Sequence, residues 1–416
     1  MAAAFAANQV NATIFRQCAL VSWNGRQYAA FYDPEGEVVL GCRARAGTAW
    51  TFARLGHRGA MRDAHNGISL GISPDGLLHV SYDHHGAPLR YRRGLAPGEM
   101  RFGPEAGMTG SREARVTYPQ FVGSPDGRFY FLYRDGSSGN GDLCLNIYEP
   151  DGAAGGPWRV LHHPLITGEG RCNPYWWRPG VGDDGSLHLA WCWRRTGDGR
   201  TNRDVCYAVS RDGGRTWTRT DGTPYRLPIT ALQAEVADPV PEGRNLINSC
   251  SSCVDARGRP HLAHYRNDGR GIPQVHHVHW DGARWQAVPV TERTAPFSLA
   301  GGGTLRPPLS RPDVVVSAEG TAHVIYRDDA EGGRVRVSSA EPPAYRAWTH
   351  RDVTDFPVGA WEPNYDPVAW RHHRLLELWV MRCEQGDHEV TTELSAQQAY
   401  VLRLGPAPGG RRGAGG

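Results

Sequence analysis

Two histidines and a set of arginines are the residues of this chain whose types and spacing suit chemistry. His65 lies ten residues before Asp75 of an Asp75-Gly76 turn signal and His85 ten residues after it, so a hairpin centred there carries both to its open end. Tyr118 and Arg134 flank Asp126 by eight residues each, Arg311 and Arg327 flank Glu319 by eight, and Asn248 and Arg266 flank Arg257 by nine. Arg194 ends the equivalent strand of a further copy. An imidazole takes up and releases a proton near neutral pH, and a guanidinium binds a carboxylate through two parallel hydrogen bonds. Together they suit proton transfer on an anionic ligand. Any one arginine at a strand end is otherwise simply solvated. Because side chains alternate along a strand, only one of His84 and His85 can face a shared pocket, and His85 is the expected one.

The elements that must position these residues form a repeat. A tight glycine turn leads into an alternating strand with a polar or charged end, as in Asp75-Gly76 to Val80-Ser81-Tyr82-Asp83 and Asp126-Gly127 to Phe131-Leu132-Tyr133-Arg134. The turn glycines stand at 25, 76, 127, 185, 258 and 320. A seventh copy, without its glycine, runs from His372-His373 through Leu378-Trp379-Val380. Strand-only repeats of this length predict propeller blades. The fold class is therefore all-β: a single-domain, seven-bladed β-propeller over residues 1–405, with a disordered Gly/Pro/Ala/Arg tail at 406–416. Closure is expected where a strand near Asn11–Arg16 joins the last blade around Tyr400–Arg403, which removes open sheet edges. Ser210-Arg211-Asp212-Gly213-Gly214-Arg215-Thr216-Trp217 resembles the Asp-box of sialidase-type propellers, a structural hairpin pin.

Composition agrees. Aromatics make up 10% of the 416 residues, beside 52 Gly and 30 Pro, which suits short strands and tight turns. The net charge of +3 is carried by arginine rather than lysine and forms no basic stripe, so no nucleic-acid partner is expected. The N-terminus lacks a basic region and a long apolar core, so the reading is cytoplasmic, with no membrane partner, or secreted if the true start lies upstream. Nine scattered cysteines argue for reduced, buried thiols. Cys250-Ser-Ser-Cys253 with His264 is one conceivable zinc set. The strand His276-His277-Val278-His279 reads as structural.

At Asp63-Ala64-His65-Asn66, Leu78 to His85, Val116-Thr117-Tyr118-Pro119-Gln120-Phe121 and Tyr133-Arg134-Asp135-Gly136, the chain resembles BNR-repeat propeller polysaccharide lyases of the ulvan-lyase and gum-arabic rhamnose–glucuronate-lyase type. Trp193-Arg194 and Ser310-Arg311-Pro312 resemble segments of the same family. The resemblance implies β-elimination at a uronate, cleaving an L-rhamnose-α-1,4-D-glucuronate or related linkage in an oligo- or polysaccharide. It implies His85 as base, His65 orienting, and Tyr118 and Arg134 completing the catalytic set. Arg194 and Asn248, assisted by Arg311 or Arg327, would bind the substrate carboxylate. No metal is required, a structural calcium or zinc stays open, and a monomer is expected. Two alternatives remain: an exo-α-L-rhamnosidase and a propeller that only binds glycans or proteins. The first uses a first-blade His on the opposite face, where this chain has Gln17 or Gln27.

Overall fold

The six repeat glycines all hold positive φ, from 71° at Gly25 to 97° at Gly320, a conformation that costs glycine little. Each lets an inner strand reverse tightly into the second strand of its blade. A computed structural model describes residues 1–150 and 157–405; the expected tail at 406–416 lies outside the described residues. Among the described residues seven antiparallel blade sheets succeed one another along the chain, beside an eighth, two-stranded sheet that joins its two ends. The first comprises Leu20–Trp23, Arg26–Tyr32, Glu37–Ala44 and Thr51–Arg58. The fifth and sixth repeat this four-stranded meander over Ser251–Pro289 and Asp313–Asp352. Inner and second strands are buried on both faces because neighbouring sheets stack against them; all eight residues of Leu187–Arg194 are buried. This is the expected seven-bladed propeller.

Three blades depart from regularity, and two of them shape the site. The second has only Ser69–Ile72, Leu78–Ser81 and Tyr91–Arg93. The short strand that begins at His85 leaves it and pairs with the inner strand of the third blade, Thr117 opposite His85. In the fourth, two short inner segments, Asn173–Trp176 and Gly180–Val181, share the partner Leu187–Arg194. The seventh pairs Leu376–Val380 with Tyr400–Leu404. Its turn is replaced by an α-helix, Pro367–His373, so His372 and His373 end a helix rather than start a strand. Asp366 caps that helix by accepting from Val368 N and Ala369 N, with Pro367 in its first turn.

Closure differs from expectation. Ala3–Ala4 pairs with Gln397–Gln398, while Ile14–Arg16 is a 3-10 turn. The turn is held there because the buried Arg16 donates to the carbonyls of Asn11, Ala30 and Ile68. A polar seam joins the first and last blades: Gln27 donates to both Asp366 and Glu377, and Arg45 pairs with Glu377 at 3.0 Å. The Ser210–Trp217 segment is a self-bonded turn in which Asp212 accepts from Ser210, Arg215 and Thr216, and buried Trp217 donates to Gly214 O. Two further contacts tie the turn to its surroundings, His162 Nε2 to Gly214 O at 2.7 Å and Tyr225 N to Trp217 O at 2.9 Å.

Candidate active site

Asp63 builds the centre. It caps the 3-10 turn Ala64–Asn66, accepting from His65 N at 2.9 Å. Its Oδ1 also meets His65 Nδ1 at 2.6 Å, and its Oδ2 meets His85 Nδ1 at 2.5 Å. The two imidazoles stack with centroids 4.0 Å apart and planes 12° apart, and Phe15 stacks on the other face of His65 at 5.3 Å. A carboxylate only accepts, so each Nδ1 carries a hydrogen, and in the neutral imidazole Nε2 then holds the lone pair. Burial pushes Asp63 up, but hydrogen bonds from His65 and His85 outweigh it and hold the carboxyl well below the usual range. Burial likewise pushes His65 below the ordinary imidazole value despite Asp63. His84 points elsewhere: it is fully buried and its Nε2 accepts from Arg90 N at 2.7 Å.

The hairpin register does not produce this pair. His65 stands before the hairpin on the capped turn, and His85 beyond it on the strand that crosses to the third blade. Asp63, which reasoning from the histidine spacing missed, brings them together. An Asp two residues before His65 is a capping signal that could have found it.

Tyr118 sits at a break in register between Thr117 and Gln120, with φ 54°. Such a bulge re-aims a side chain, and here the ring packs 5.2 Å from Phe15 and 5.9 Å from His65. Arg134 lies 5.0 Å over the Tyr118 ring and donates to Thr117 Oγ1. Arg194 donates to the carbonyls of Gly197 and Asp198. Between the two guanidiniums stands Tyr175, a second residue that sequence reasoning missed. Its hydroxyl accepts from Arg134 Nη1 at 3.4 Å and from Arg194 Nη1 at 3.3 Å. Like Tyr118 it lies on the inner strand of its blade, but its register differs, since Tyr175 pairs with Cys192 and Asn173 pairs with Arg194.

An open cavity of about 480 Å³ is lined by His65, Tyr118, Arg194, Asn248, Arg311 and Phe15, among others. Asn248 and Arg311 are coupled, since Arg311 Nε donates to Asn248 O at 2.8 Å, and Arg311 pairs with Glu362 at 2.7 Å. His85 and Arg134 are not themselves among the lining residues but stack on two that are, His65 and Tyr118. Arg327 is not in this cavity either, and its contacts are with other groups, which corrects its assignment to the substrate. It is buried, pairs with Asp329 at 2.6 Å and donates to the carbonyls of Pro307 and Pro308. Its two Nη atoms are thus committed to Asp329 and to the segment that also supplies Leu299, Gly303, Thr304 and Leu305 to the cavity lining. Arg266 is likewise committed, to Asp238 at 2.7 Å.

At the other end of the axis Gln17, Arg178, Tyr365, Arg371 and Arg374 line a cavity of about 790 Å³. Gln27 does not reach it, being buried against Asp366 and Glu377.

Among the described residues Asp63, His65 and His85 bring one possible ligand atom each within 4.8 Å of one another, and they meet there as hydrogen-bond partners. Zinc ligands about 2.0–2.1 Å from the metal at tetrahedral angles stand roughly 3.3 Å apart. The Asp63 oxygens and imidazole nitrogens instead face one another at 2.5 and 2.6 Å, as hydrogen-bond partners do. His264 turns to Asp238 at 3.0 Å, and Cys250 and Cys253 are buried thiols pushed well above their ordinary pKa by burial. In the strand His276–His279, His277 Nε2 bonds to His261 Nδ1 at 2.9 Å.

Solved structures share this architecture. The polysaccharide lyase Uly1 is 16% identical, with 93% of this chain and 90% of that one aligned and a TM-score of 0.67. An ulvan lyase of polysaccharide lyase family PL25, bound to -[GlcA(1-4)Rha3S]-, is 14% identical over 96% of this chain and 94% of that one, with a TM-score of 0.70. A puromycin hydrolase is 14% identical over 98% of this chain but 58% of its own, with a TM-score of 0.51. Identities this low speak to fold. No curated protein matches the sequence. The sequence profile of BNR repeat-containing family members matches residues 26–293, nearly two-thirds of the chain. With its seven blade sheets around one axis, the chain belongs to the BNR repeat-containing family.

Proposed function

We propose that the protein is a carbohydrate lyase that cleaves a rhamnose–glucuronate or related uronate linkage by β-elimination. One observation carries the reading: Asp63 presents two stacked imidazoles with free Nε2 atoms beside arginines that, among the described residues, have no carboxylate partner. The proton on C5 of a uronate is barely acidic until the neighbouring carboxylate is neutralised. Arg194 and Arg134, with the Asn248 amide, supply that neutralisation. Arg311 contributes less charge because Glu362 already pairs with it. His85, the more exposed imidazole, takes the C5 proton on Nε2. The electron pair of that bond becomes the C4–C5 double bond, and the C4–O4 bond breaks. The imidazolium returns its proton to the departing oxygen, so the two products are an unsaturated uronate and a free hydroxyl. Asp63 keeps the imidazoles in the productive tautomer, and His65 packs against His85 to fix its plane. The scheme uses no metal. A uronate–rhamnose oligosaccharide bound to the PL25 neighbour supports the substrate class.

The test is incubation with gum arabic, monitoring ultraviolet absorbance and released rhamnose together. Rising absorbance at the unsaturated uronate band is the expected result. Free rhamnose without that absorbance would instead mark a rhamnosidase, and binding without either product a glycan-binding propeller.

A further inference from the structure

We propose that Tyr175 is a positioning residue whose phenol oxygen holds the Arg134 and Arg194 guanidiniums together as one carboxylate receptor, and that loss of its proton closes that receptor. The proposal rests on the reading above that these arginines bind a uronate.

Two guanidinium groups repel each other unless something between them accepts from both. Tyr175 occupies that position. Its ring lies 5.9 Å from the Arg134 guanidinium and 5.3 Å from that of Arg194, and it is 2% exposed. The hydroxyl has two lone pairs and one hydrogen. Arg134 Nη1 and Arg194 Nη1 take the lone pairs at 3.4 and 3.3 Å, and Ser138 Oγ stands at 3.0 Å, where its hydroxyl can accept from the neutral phenol and donate to the phenolate. No hydrogen-bonding capacity is left over. The other titratable group facing the ring is Tyr118, at 5.8 Å, itself pushed up by burial. The groups that set the Tyr175 proton are therefore Arg194 and Arg134 in the second strands of two blades, Ser138 in the turn after Arg134, and Tyr118. Among the described residues no carboxylate takes part.

Burial alone would push Tyr175 up, yet the two arginines and Ser138 outweigh it and draw the phenol down to about 8. Below that pH the phenol is neutral and the pair presents two positive charges to a ligand. Above it the phenolate claims one of them. A substrate carboxylate and the phenolate then compete for the same two cations, so carboxylate affinity is flat below the midpoint. It falls about tenfold per pH unit above it, because each binding event takes up one proton. By the same linkage, a bound carboxylate moves the midpoint upward.

The experiment titrates the full-length protein while tracking the near-ultraviolet tyrosinate band, with and without the methyl glycoside of D-glucuronate, and with methyl glucoside as the uncharged control. Without ligand, one tyrosine ionises near pH 8, and the step is missing in Tyr175→Phe. Ser138→Ala, at a partly exposed turn, raises the midpoint, which keeps the assignment testable should Tyr175→Phe not fold. The glucuronide raises it too, and the glucoside does not. A step that persists in Tyr175→Phe, or one the glucuronide leaves unmoved at saturation, overturns the proposal. In turnover, KM of the wild type climbs about tenfold per pH unit above the midpoint, while KM of Tyr175→Phe is raised at neutral pH and flat with pH. If the glucuronide shifts the step but no unsaturated product ever forms, the lyase reading fails and the receptor stands.

Discussion

Substituting Asp63→Asn tests the centre of the site with the smallest change in shape. The carboxylate receives Nδ1–H from His65 at 2.6 Å and from His85 at 2.5 Å. An amide offers one acceptor oxygen and one donor NH2. Whichever imidazole meets the NH2 must turn its Nδ1 into an acceptor, which moves its hydrogen to Nε2 and removes the lone pair that takes the C5 proton. Holding a catalytic imidazole in the wrong tautomer costs on the order of 10³–10⁴ in rate, equivalent to roughly 4–5.5 kcal/mol of barrier. The expected result is a loss of that order in the rate of unsaturated-uronate formation at neutral pH, with KM little changed. Stability responds separately. The Asp63 carboxyl is held below its ordinary pKa, so its stabilisation is complete above the usual carboxylate range and is lost progressively as pH falls from that range towards the lower folded-state value. The wild type therefore loses more of its thermal midpoint on acidification than Asp63→Asn does. A variant that turns over within a factor of ten of the wild type would refute tautomer control by Asp63.

Further substitutions separate chemistry from scaffold. His85→Ala abolishes the unsaturated product while the unfolding midpoint stays nearly unchanged. His84→Ala keeps substantial activity but unfolds at lower temperature, because its buried imidazole accepts from Arg90 N; the reverse pattern would mean that His84 carries the chemistry. Arg194→Ala lowers turnover about a hundredfold or more in a folded protein, read as initial rate beside a melting curve, and near-normal activity removes it from the site. Arg327→Ala acts through stability, by about 1–3 kcal/mol, since it takes the donors away from the Pro307 and Pro308 carbonyls, while its ion-pair partner Asp329 is exposed and can be solvated. A denaturant titration that shows no loss would contradict that account.

The seven-bladed architecture was legible because its signals are local. A turn needs positive φ where Gly76 and Gly185 stand, and alternation along each strand depends only on neighbours in sequence. The convergence of His65, Tyr118, Arg194, Asn248 and Arg311 on one cavity was legible for a related reason, since matched positions in stacked repeats end at matched heights. Closure was not. A two-residue strand at Ala3–Ala4 carries no periodicity, and its partner Gln397–Gln398 lies almost the whole chain away.

Arg194 and Arg327 mark the boundary most sharply. Each ends the second strand of its blade, after an aromatic residue, and the sequence alone makes them equivalents. Their surroundings separate them: Asp329 and the Pro307–Pro308 carbonyls absorb the donors of Arg327, whereas Arg194 meets carbonyls and the Tyr175 phenol. The histidine pair behaves alike. Its spacing of twenty residues is written in the chain, but the shared carboxylate of Asp63 and the crossing of the His85 strand to the next blade arise only when separate segments pack. By itself, then, the sequence determined the blade count and which residue types gather at one end of the axis, because turns and alternation are set by nearest neighbours. Only the tertiary structure decided which arginines keep their charge for a ligand and which way each imidazole faces, because hydrogen-bond partners and burial come from residues distant along the chain.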